Sequence, residues 1–400
     1  MSPLSRRHWL ACLTATSTLP WLSTACASRF VRRSDAWSPW HYPDPSLPPV
    51  LQVVQAATLA ASPHNTQPWR FIVDDDQIIV LRDTTRWLGP MDPLSRELHI
   101  GLGCAIENAA QAAHAMQRSP RIHLRAAFDH NLDLTGTARP GLSHPDAVAV
   151  LTLDADAPDT DLDIDLHAVV ADRRTHRGAW SDAPLPGPER RALTELAQAF
   201  EPQGVGLRLL TKSDEQRRFA DATLAATRAI VADTEMNEAS DRWFRYTRAD
   251  IERHRDGVTL EAQGLPDIAI AAARLAPRPS ADKAGGYWIA NTERQLAATS
   301  AVVLLGSEDR THLGQQLLVG RLYQRMALWL EAHGYAAHPI NQLAERVDRE
   351  LETDSEEATR ALTAIWPDRH AQMLFRVGIP EHGTAHSPRR PVSELVATPC

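Results

Sequence analysis

The sequence predicts an α+β fold in which helices flank mixed or antiparallel sheets. Runs of β-branched residues on both sides of an Asp-rich turn, in residues 70–81, are typical of two paired strands. An Ala-rich stretch, 97–116, and a stretch with apolar residues at helical spacing, 312–340, predict two long helices. Both halves show the order helix, strands, then helix followed by strand, so we expect two similar modules rather than an array of short repeats.

The overall composition is that of a globular protein. The chain has 400 residues, 43% hydrophobic and 23% charged, which is enough for one large core or two ordinary ones. Its net charge of -8 argues against a nucleic-acid partner, because phosphates require a basic surface. The four cysteines, Cys12, Cys26, Cys104 and Cys400, have no metal-ligand spacing, so we predict neither a disulfide framework nor a metal site.

Residues 1–27 are typical of an export signal. Arg6 and Arg7 precede an apolar stretch that is too short to span a bilayer, and the segment around them resembles the twin-arginine export motif. The twin-arginine machinery is therefore an expected partner, and the expected location is the periplasm. Cys26 fits both a cleavage site and a lipoprotein box, so membrane anchoring through a lipidated Cys26 stays open. The alternative is an uncleaved leader on a cytoplasmic protein.

The first half begins with a Pro- and Trp-rich segment, 28–49, which we predict to be an extended arm. Apolar residues at helical spacing follow from Val50, and Pro63 ends that helix. After the strand pair comes the Ala-rich helix, in which Cys104 is expected to be a small buried apolar residue. A strand at 146–156 then leads into an acidic connector, so we assign the first module to residues 50–158.

The second module is assigned to residues 159–400. It opens with a predicted amphipathic helix, 166–185, that ends in a basic turn. Gly334 suits the left-handed C-terminal cap of the long helix. The other predicted elements are a strand at 204–212, a polar helical region at 214–295 interrupted at 255–266, a buried strand at 300–307 and a last strand at 373–380.

The segment 62–67, which we call the polar segment, is the first candidate site. Its hydroxyl, imidazole and amide groups can donate and accept hydrogen bonds, which suits a ligand rimmed by carbonyls and ring nitrogens. Pro63 and Pro68 stiffen the segment and reduce the entropy lost on binding. An ordinary turn in which Asn and Ser side chains bond to their own backbone is the alternative. The candidate residues are Ser62, His64, Asn65 and Gln67.

Two arginine clusters form the second candidate site. Arg173, Arg174 and Arg177 can bind a phosphate or a carboxylate through bidentate, charge-assisted hydrogen bonds. The alternative is a solvated helix end, where Arg is favoured by the helix dipole. Arg389 and Arg390, which lie between two prolines, are typical of a solvent-exposed tail unless they converge on the first cluster.

Familiar catalytic motifs are absent from the sequence. Residues 101–103 contain a G-x-G, but the third glycine of a dinucleotide-binding loop is missing. The chain also lacks the phosphate-binding loop, the H-E-x-x-H zinc motif and the G-x-S-x-G nucleophile elbow. We therefore predict no individual catalytic residue.

Five segments together resemble the FMN-dependent nitroreductase superfamily, and most closely its exported or dormancy-associated Acg-like branch. In the segment 171–180, which we call the arginine segment, Thr175 stands where that family has Ser. The resemblance extends from Val50 to Val396. The segments are 60–71, 171–180, 300–310, 320–335, and 375–380 together with 388–391.

The resemblance implies a nitroreductase-like fold and an FMN cofactor. In that family the arginine segment precedes the polar segment, whereas here it follows, so the simplest account is a fused pseudo-dimer that shares FMN at the interface of its modules. The second equivalent site is expected to be lost, because the first half has no arginine-rich opening segment. By resemblance Ser62, Asn65 and Gln67 contact the flavin, Arg173 and Arg177 bind its phosphate, and His64, Arg174, Arg389 and Arg390 belong to the same site.

The implied activity is flavin-mediated hydride or electron transfer to a small organic acceptor of nitroaromatic or quinone type. The electron donor is unknown, because NAD(P)H serves only if the protein is cytosolic. The alternative is a non-catalytic protein that binds or sequesters flavin. A third hypothesis is a surface lipoprotein that keeps the nitroreductase-like fold but no longer binds a ligand. The loop at 255–266 is expected near the pocket, since Gly257 and Gly264 allow a movable bend.

Overall fold

The computed structural model describes residues 35–74, 76–118, 120–126, 144–153 and 164–397. The predicted export segment, Cys26 and the boundary at residue 158 lie outside the described residues. Among the described residues, no helix is both long enough and apolar enough to cross a membrane.

The strands form two main sheets and one short ribbon. Strands β1 and β2 form the predicted hairpin, and β11 joins β1 in parallel, so the end of the chain completes the first sheet. The first sheet has the order β11-β1-β2-β4-β3, the second has the antiparallel order β5-β8-β10-β9, and β6 pairs with β7. The strands are β1 Trp69–Val73, β2 Gln77–Arg82, β3 Arg121–Leu124, β4 Ala147–Thr152, β5 Val205–Leu210, β6 Phe244–Arg245, β7 Val258–Thr259, β8 Ala301–Ser307, β9 Ala336–Pro339, β10 His370–Gly378 and β11 Val396–Ala397.

Helices cover both sheets, which confirms the predicted α+β class with mixed and antiparallel sheets. The helices are α1 Pro49–Thr58, α2 Arg96–Ala115, α3 Ile164–His167, α4 Gly187–Gln198, α5 Ser213–Ala232, α6 Thr234–Asp241, α7 Arg248–His254, α8 Asp267–Leu275, α9 Ala281–Ala297, α10 Leu313–Ala332, α11 Gln342–Glu350, α12 Glu357–Ile365 and α13 Val392–Leu395. Short 3-10 turns connect several of these elements.

Helices α2 and α10 form the centre of the molecule and cross at Gly103 and Gly320. A Cβ atom on Gly103 would lie 2.1 Å from the Leu317 carbonyl oxygen, and one on Gly320 would lie 2.1 Å from the Ile100 carbonyl oxygen. The two backbones therefore touch, and only glycine fits at either position. The two contacts mirror each other, as they would at a two-fold axis.

Polar pairs flank this crossing. The Gln324 amide donates to Asn108 Oδ1 at 2.7 Å, and the buried carboxylate of Glu107 accepts hydrogen bonds from Arg321 Nε at 3.0 Å and Arg325 Nε at 2.7 Å. The two arginines outweigh the effect of burial and lower the pKa of Glu107 to about 2. Cys104 is buried beside them as a free thiol, as predicted.

Several expectations for local structure are wrong. The helix predicted over 312–340 ends at Ala332, and strand β9 lies in the remainder of that range. The segment 166–185 is not one helix, because α3 ends at His167 and the arginine segment runs as irregular backbone with Arg173 buried. Its helical periodicity is overridden by tertiary contacts of the guanidinium. The arm predicted over 28–49 is not extended throughout, because Asp35–Trp40 forms a 3-10 helix. There the indole N–H of Trp37 donates to the His386 carbonyl at 2.9 Å.

Other expectations are confirmed. Helix α2 is buried along nearly its whole length, as its small residues indicated. Gly334 adopts a φ of 76° after α10. The polar helical region is interrupted where predicted, by β7 and a 3-10 turn between Glu261 and Gln263. One expectation is wrong: helix α1 ends at Thr58 with Leu59 as its C-cap, so Pro63 is not the residue that ends it.

Candidate functional site

A cavity of about 180 Å³ lies between the two halves, and we call it the central cavity. Residues of both central helices and both halves line it, so neither half forms it alone. The polar residues that line it include Ser62, His64, Glu97, Arg177, Ser240, Tyr323, His338, Asn341 and Glu345.

The polar segment beside this cavity has an unusual backbone. The backbone φ values of His64, Asn65 and Gln67 are 45°, 56° and 52°. They lie in the left-handed region, which residues other than glycine rarely adopt. The Ser62 hydroxyl stabilises the bend by accepting a hydrogen bond from the Gln67 N–H at 3.1 Å. Strained backbone of this kind persists only where surrounding contacts hold it, and it clusters at functional sites.

The amides of Asn65 and Gln67 provide those contacts. Asn65 Nδ2 donates to the carbonyls of Gly257 at 3.1 Å and Pro388 at 2.9 Å. Gln67 Nε2 donates to the Arg255 carbonyl at 2.8 Å, and its Oε1 accepts from the Arg390 N–H at 2.8 Å. The segment is thereby tied to two others, the loop at 255–257 and the C-terminal residues 388–390.

His64 faces the central cavity as a neutral ring. Its Nε2 lies 3.0 Å from the Ser240 hydroxyl. Burial, with a smaller contribution from the Arg177 charge, lowers the pKa of His64 to about 4. At neutral pH the ring therefore offers one donor and one acceptor and adds no charge.

A second, smaller cavity of about 30 Å³ adjoins the central one, and we call it the arginine cavity. Ala61, Ser62, Thr175 and Arg177 line both cavities, so the two are neighbours. The guanidinium-bearing residues that line the arginine cavity are Arg173, Arg174, Arg177 and Arg389.

Backbone carbonyls and one amide hold these guanidiniums. Arg173 donates to the Leu59 carbonyl at 3.2 Å, Arg174 to the Thr384 carbonyl at 3.0 Å and Arg177 to the Ala262 carbonyl at 3.2 Å. Arg389 donates to Asn65 Oδ1 and to the Ala60 carbonyl, and its guanidinium lies 4.8 Å from the centre of the Trp40 ring. The cavity wall is therefore fixed by contacts from both ends of the chain.

None of the four guanidiniums forms an ion pair with a carboxylate of the described residues. The carboxyl group of Glu331 accepts a hydrogen bond from the backbone N–H of Arg174, and it interacts with the Arg173 and Arg174 charges without pairing with either guanidinium. The buried Nε atoms of Arg173 and Arg389 have no hydrogen-bond partner in the part of the chain that the structure describes. Burial lowers the pKa of Arg173 and Arg389, and it lowers that of Arg177 to about 10. Buried cations without a counter-charge are costly, so this arrangement favours an anionic ligand.

No protein-family model matches the chain. A Mycobacterium tuberculosis protein, provisionally named NAD(P)H nitroreductase in strains CDC 1551 and H37Rv, is 26% identical over 372 residues, which is 90% of this chain and 93% of that protein.

The chain is similar to a nitroreductase. Among solved structures, the chain has a low similarity to the FMN-dependent nitroreductase NfnB of Mycobacterium smegmatis in complex with NADPH. The sequence identity is 18% and the TM-score is 0.38, and the match covers 59% of this chain and 98% of that one. A BluB-like flavoprotein of Clostridium difficile has 12% identity, a TM-score of 0.38, and coverage of 59% of this chain and 99% of that one.

The structure brings most of the predicted residues together. Ser62 and Arg177 line both cavities, and His64 lines the central cavity. Gln67 and Arg390 line neither cavity, although the buried Nη1 of Arg390 has no hydrogen-bond partner among the residues that the structure describes. Asn65, Arg173, Arg174 and Arg389 line the arginine cavity alone.

An acid-rich wall of the central cavity was not predicted. Glu97 accepts from the Asn341 amide at 2.8 Å and interacts with the carboxyl group of Glu345. Burial, followed by the nearby Glu97 charge, raises the pKa of Glu345 well above its ordinary value. Glu345 Oε2 has no hydrogen-bond partner within the described ranges. No spacing in the sequence links these positions, because α2 and α11 meet only through the tertiary fold.

Proposed function

We propose that the protein is an FMN-dependent oxidoreductase of nitroreductase type, which binds one FMN between its two halves. The observation that carries the proposal is the set of four guanidiniums around the arginine cavity, which have no carboxylate partner among the described residues. The arginine cavity adjoins a larger cavity with hydrogen-bonding walls. That combination suits a ligand with a phosphate at one end and a polar ring system at the other.

The donor set fits a phosphate. Arginine N–H groups form bidentate, charge-assisted bonds with phosphate oxygens, and an incoming dianion would compensate the buried positive charges. Arg173 and Arg389 each hold an unsatisfied Nε inside the wall, and Arg177 is shared with the central cavity. These arginines would hold the phosphate of FMN.

The walls of the central cavity fit a flavin ring. Isoalloxazine presents carbonyl oxygens and ring nitrogens, which neutral donors satisfy without adding charge. The hydroxyl of Tyr323 has no protein hydrogen-bond partner among the described residues, and Ser62, Pro63 and Gly101 supply a close-packed side. Bound FMN would supply hydride or electron transfer to a small nitroaromatic or quinone-like acceptor.

The protein's own part in this chemistry is positioning and exclusion of water. Asn65 and Gln67 fix the loop at 255–257 against the polar segment, and Val258 and Gln263 line the cavity from that loop. Excluding water strengthens the hydrogen bonds inside the site. The relatives carry NAD(P)H in their names, and we propose the same donor if the protein acts in the cytoplasm.

The mirrored helix contacts support a fused pseudo-dimer of two nitroreductase-like modules. Gly103 touches the backbone of α10 in the same way as Gly320 touches that of α2. Such a reciprocal contact is what an interface between equivalent subunits has. We propose the module boundaries predicted from the sequence, with the C-terminal strand β11 added to the first sheet.

We further propose an Acg-like protein exported to the periplasm by the twin-arginine machinery, with Cys26 as an optional lipid anchor. The support is the motif around Arg6 and Arg7. Replacing both arginines by lysine should retain the protein in the cytoplasm. Fractionation that finds the unaltered protein in the cytoplasm would contradict this proposal.

Variants of the arginine cavity test the function. We expect R173A and R177A each to weaken FMN binding by about 10- to 100-fold, since a hydrogen bond to a charged group contributes about 1.5–3 kcal/mol. R360A, in an exposed arginine of α12, is the matched control and should bind like the unaltered protein. Binding is measured by quenching of flavin fluorescence.

Turnover is measured on the same samples. NAD(P)H should bleach the bound flavin, and a nitroaromatic or quinone should restore its absorbance. Unchanged FMN affinity in R173A and R177A would contradict the proposed phosphate site. Tight FMN binding without bleaching would identify a flavin-binding protein that is not a reductase.

A further inference from the structure

His338 has a defined hydrogen-bonding state because of its partner across the sheet. Strand β9 places it directly opposite Arg376 of strand β10. Arg376 Nε lies 3.0 Å from His338 Nδ1. A guanidinium has only N–H donors and stays protonated in proteins, so His338 Nδ1 must be the acceptor. The proton of the neutral ring is therefore on Nε2.

Arg376 cannot turn away from this contact. Its side chain is fully buried, and its Nη1 donates to the carbonyls of Gln295 at 2.8 Å and Ala298 at 3.1 Å. Its Nη2 donates to the Gly178 carbonyl at 3.2 Å, and its guanidinium lies 4.0 Å from the centre of the Trp180 ring. Four hydrogen bonds and a stacked ring thus hold the donor that determines the tautomer of His338.

The other ring nitrogen is left for a ligand. His338 is buried and lines the central cavity, and its Nε2 has no hydrogen-bond partner among the described residues. The charged and titratable groups that act on the ring are Arg376, Arg177 and His176, and none is an acid. Burial and these groups lower the pKa of His338 well below its ordinary value, so the ring stays neutral.

We propose that His338 donates an Nε2–H hydrogen bond to an oxygen of the molecule bound in the central cavity, and that Arg376 is the positioning residue that fixes this donor. The oxygen is a carbonyl of the flavin ring or a nitro or quinone oxygen of the acceptor, which share the property of gaining negative charge on reduction. This inference rests on the proposed function for the identity of the ligand.

A fixed neutral donor aimed at developing negative charge stabilises the reduced state more than the oxidised one. The donor needs no reorganisation, because Arg376 already orients the ring. A protonated imidazole would add a further cation to a site that holds Arg177, and desolvation disfavours that. The central cavity therefore suits ligands with an acceptor oxygen at this position and disfavours ligands with an N–H or O–H group there.

Nitrogen-15 NMR of histidine-labelled protein without added flavin tests the donor itself. We expect one histidine to show the Nε2–H tautomer throughout the usual titration range, about pH 5 to 8, and to be missing from the spectrum of H338Q. An Nδ1–H tautomer or an imidazolium for His338 would overturn the inference. This result does not depend on FMN binding, so it separates failure of the inference from failure of the proposed function.

Variants identify which oxygen accepts. H338F removes the donor, H338Q keeps an amide donor, and H370Q changes an exposed histidine of the neighbouring strand as a control. If a flavin carbonyl accepts the hydrogen bond from His338, H338F should weaken FMN binding or lower the flavin midpoint potential. H338Q should then restore part of the lost affinity or potential. If the acceptor molecule accepts, FMN affinity and potential stay unchanged, while kcat/KM for a nitroaromatic falls by about 10- to 100-fold.

Folding is checked by circular dichroism, since H338F leaves the Arg376 Nε without its acceptor. If H338F does not fold, H338Q provides the test. Its changes in FMN affinity, midpoint potential or kcat/KM should be smaller than those expected for H338F and in the same direction. A folded H338F with the FMN affinity, midpoint potential and kcat/KM of the unaltered protein would contradict the proposal.

Discussion

The guanidiniums of Arg173 and Arg389 are held inside the protein by backbone carbonyls, with no carboxylate partner among the described residues. By contrast, the buried Arg321 and Arg325 share Glu107. The arginine cavity differs from this pair because several guanidiniums without a carboxylate partner among the described residues line one cavity. Arg376 is also buried without such a partner, but its guanidinium forms four hydrogen bonds within the protein.

The acid wall of the central cavity leads to a prediction about pH. The pKa of Glu345 is raised in the folded protein, so above its ordinary value of 4.5 the native state binds more protons than the unfolded chain. Stability therefore falls as the pH rises from 4.5 through the raised folded value. We expect E345Q to flatten this fall and to be more stable than the unaltered protein at neutral pH.

Denaturant melts at a series of pH values measure this effect. E357Q, in an exposed glutamate at the start of α12, is the control and should leave the profile unchanged. If E345Q and the unaltered protein lose stability in parallel as the pH rises, the carboxyl group of Glu345 is not the source.

Among the elements, the crossing of α2 and α10 determines how the two halves meet. A methyl group at Gly103 or Gly320 would overlap a backbone carbonyl oxygen of the other helix at 2.1 Å. Backbone cannot yield as a flexible side chain can, so the helices must separate and open the packed core around them.

We therefore expect G103A and G320A each to destabilise the protein by about 1–3 kcal/mol or more. G286A, in exposed helix α9 with no atom within 4 Å of an added Cβ, is the matched control. It should stabilise slightly, because alanine is favoured over glycine in helices by about 1 kcal/mol. Urea titrations compare the three variants, and unchanged stability in G103A would contradict the close crossing.

Local pattern predicted the elements that local physics determines. The hairpin of β1 and β2, the buried α2, and the cap at Gly334 follow from alternation, small residues and the left-handed glycine. The region 166–185 failed because its guanidiniums are held by distant carbonyls. Strand β9 was missed within a predicted helix, since its pairing with β10 is a long-range contact.

The same limit applies to the site. Clustered residues such as Asn65 and Arg173 stood out because similar side chains lie close together in sequence. His338 carried no such signal, because its state is set by Arg376 across the sheet. The resemblance to nitroreductases supplied the flavin, which composition and spacing alone left open.

At the scale of the whole molecule, residues near both limits of the range 35–397 meet at the candidate site. Trp40 near the start contacts Arg389 near the end, and strand β11 returns to complete the first sheet. The polar segment lies between them, bound to residues 388–390. The arginine cavity therefore depends on segments around both Trp40 and Arg389, and removal of residues 35–49 or of residues 388–397 should abolish ligand binding and reduce stability.

Isothermal titration of the intact protein with FMN and with riboflavin tests the central claim most directly, because the two ligands differ only in the phosphate. We predict one FMN per chain and riboflavin binding weaker by at least about 100-fold, as expected when several charge-assisted hydrogen bonds are lost. Equal affinities for the two ligands, or no binding of FMN, would contradict the assignment of the buried arginines to a flavin phosphate.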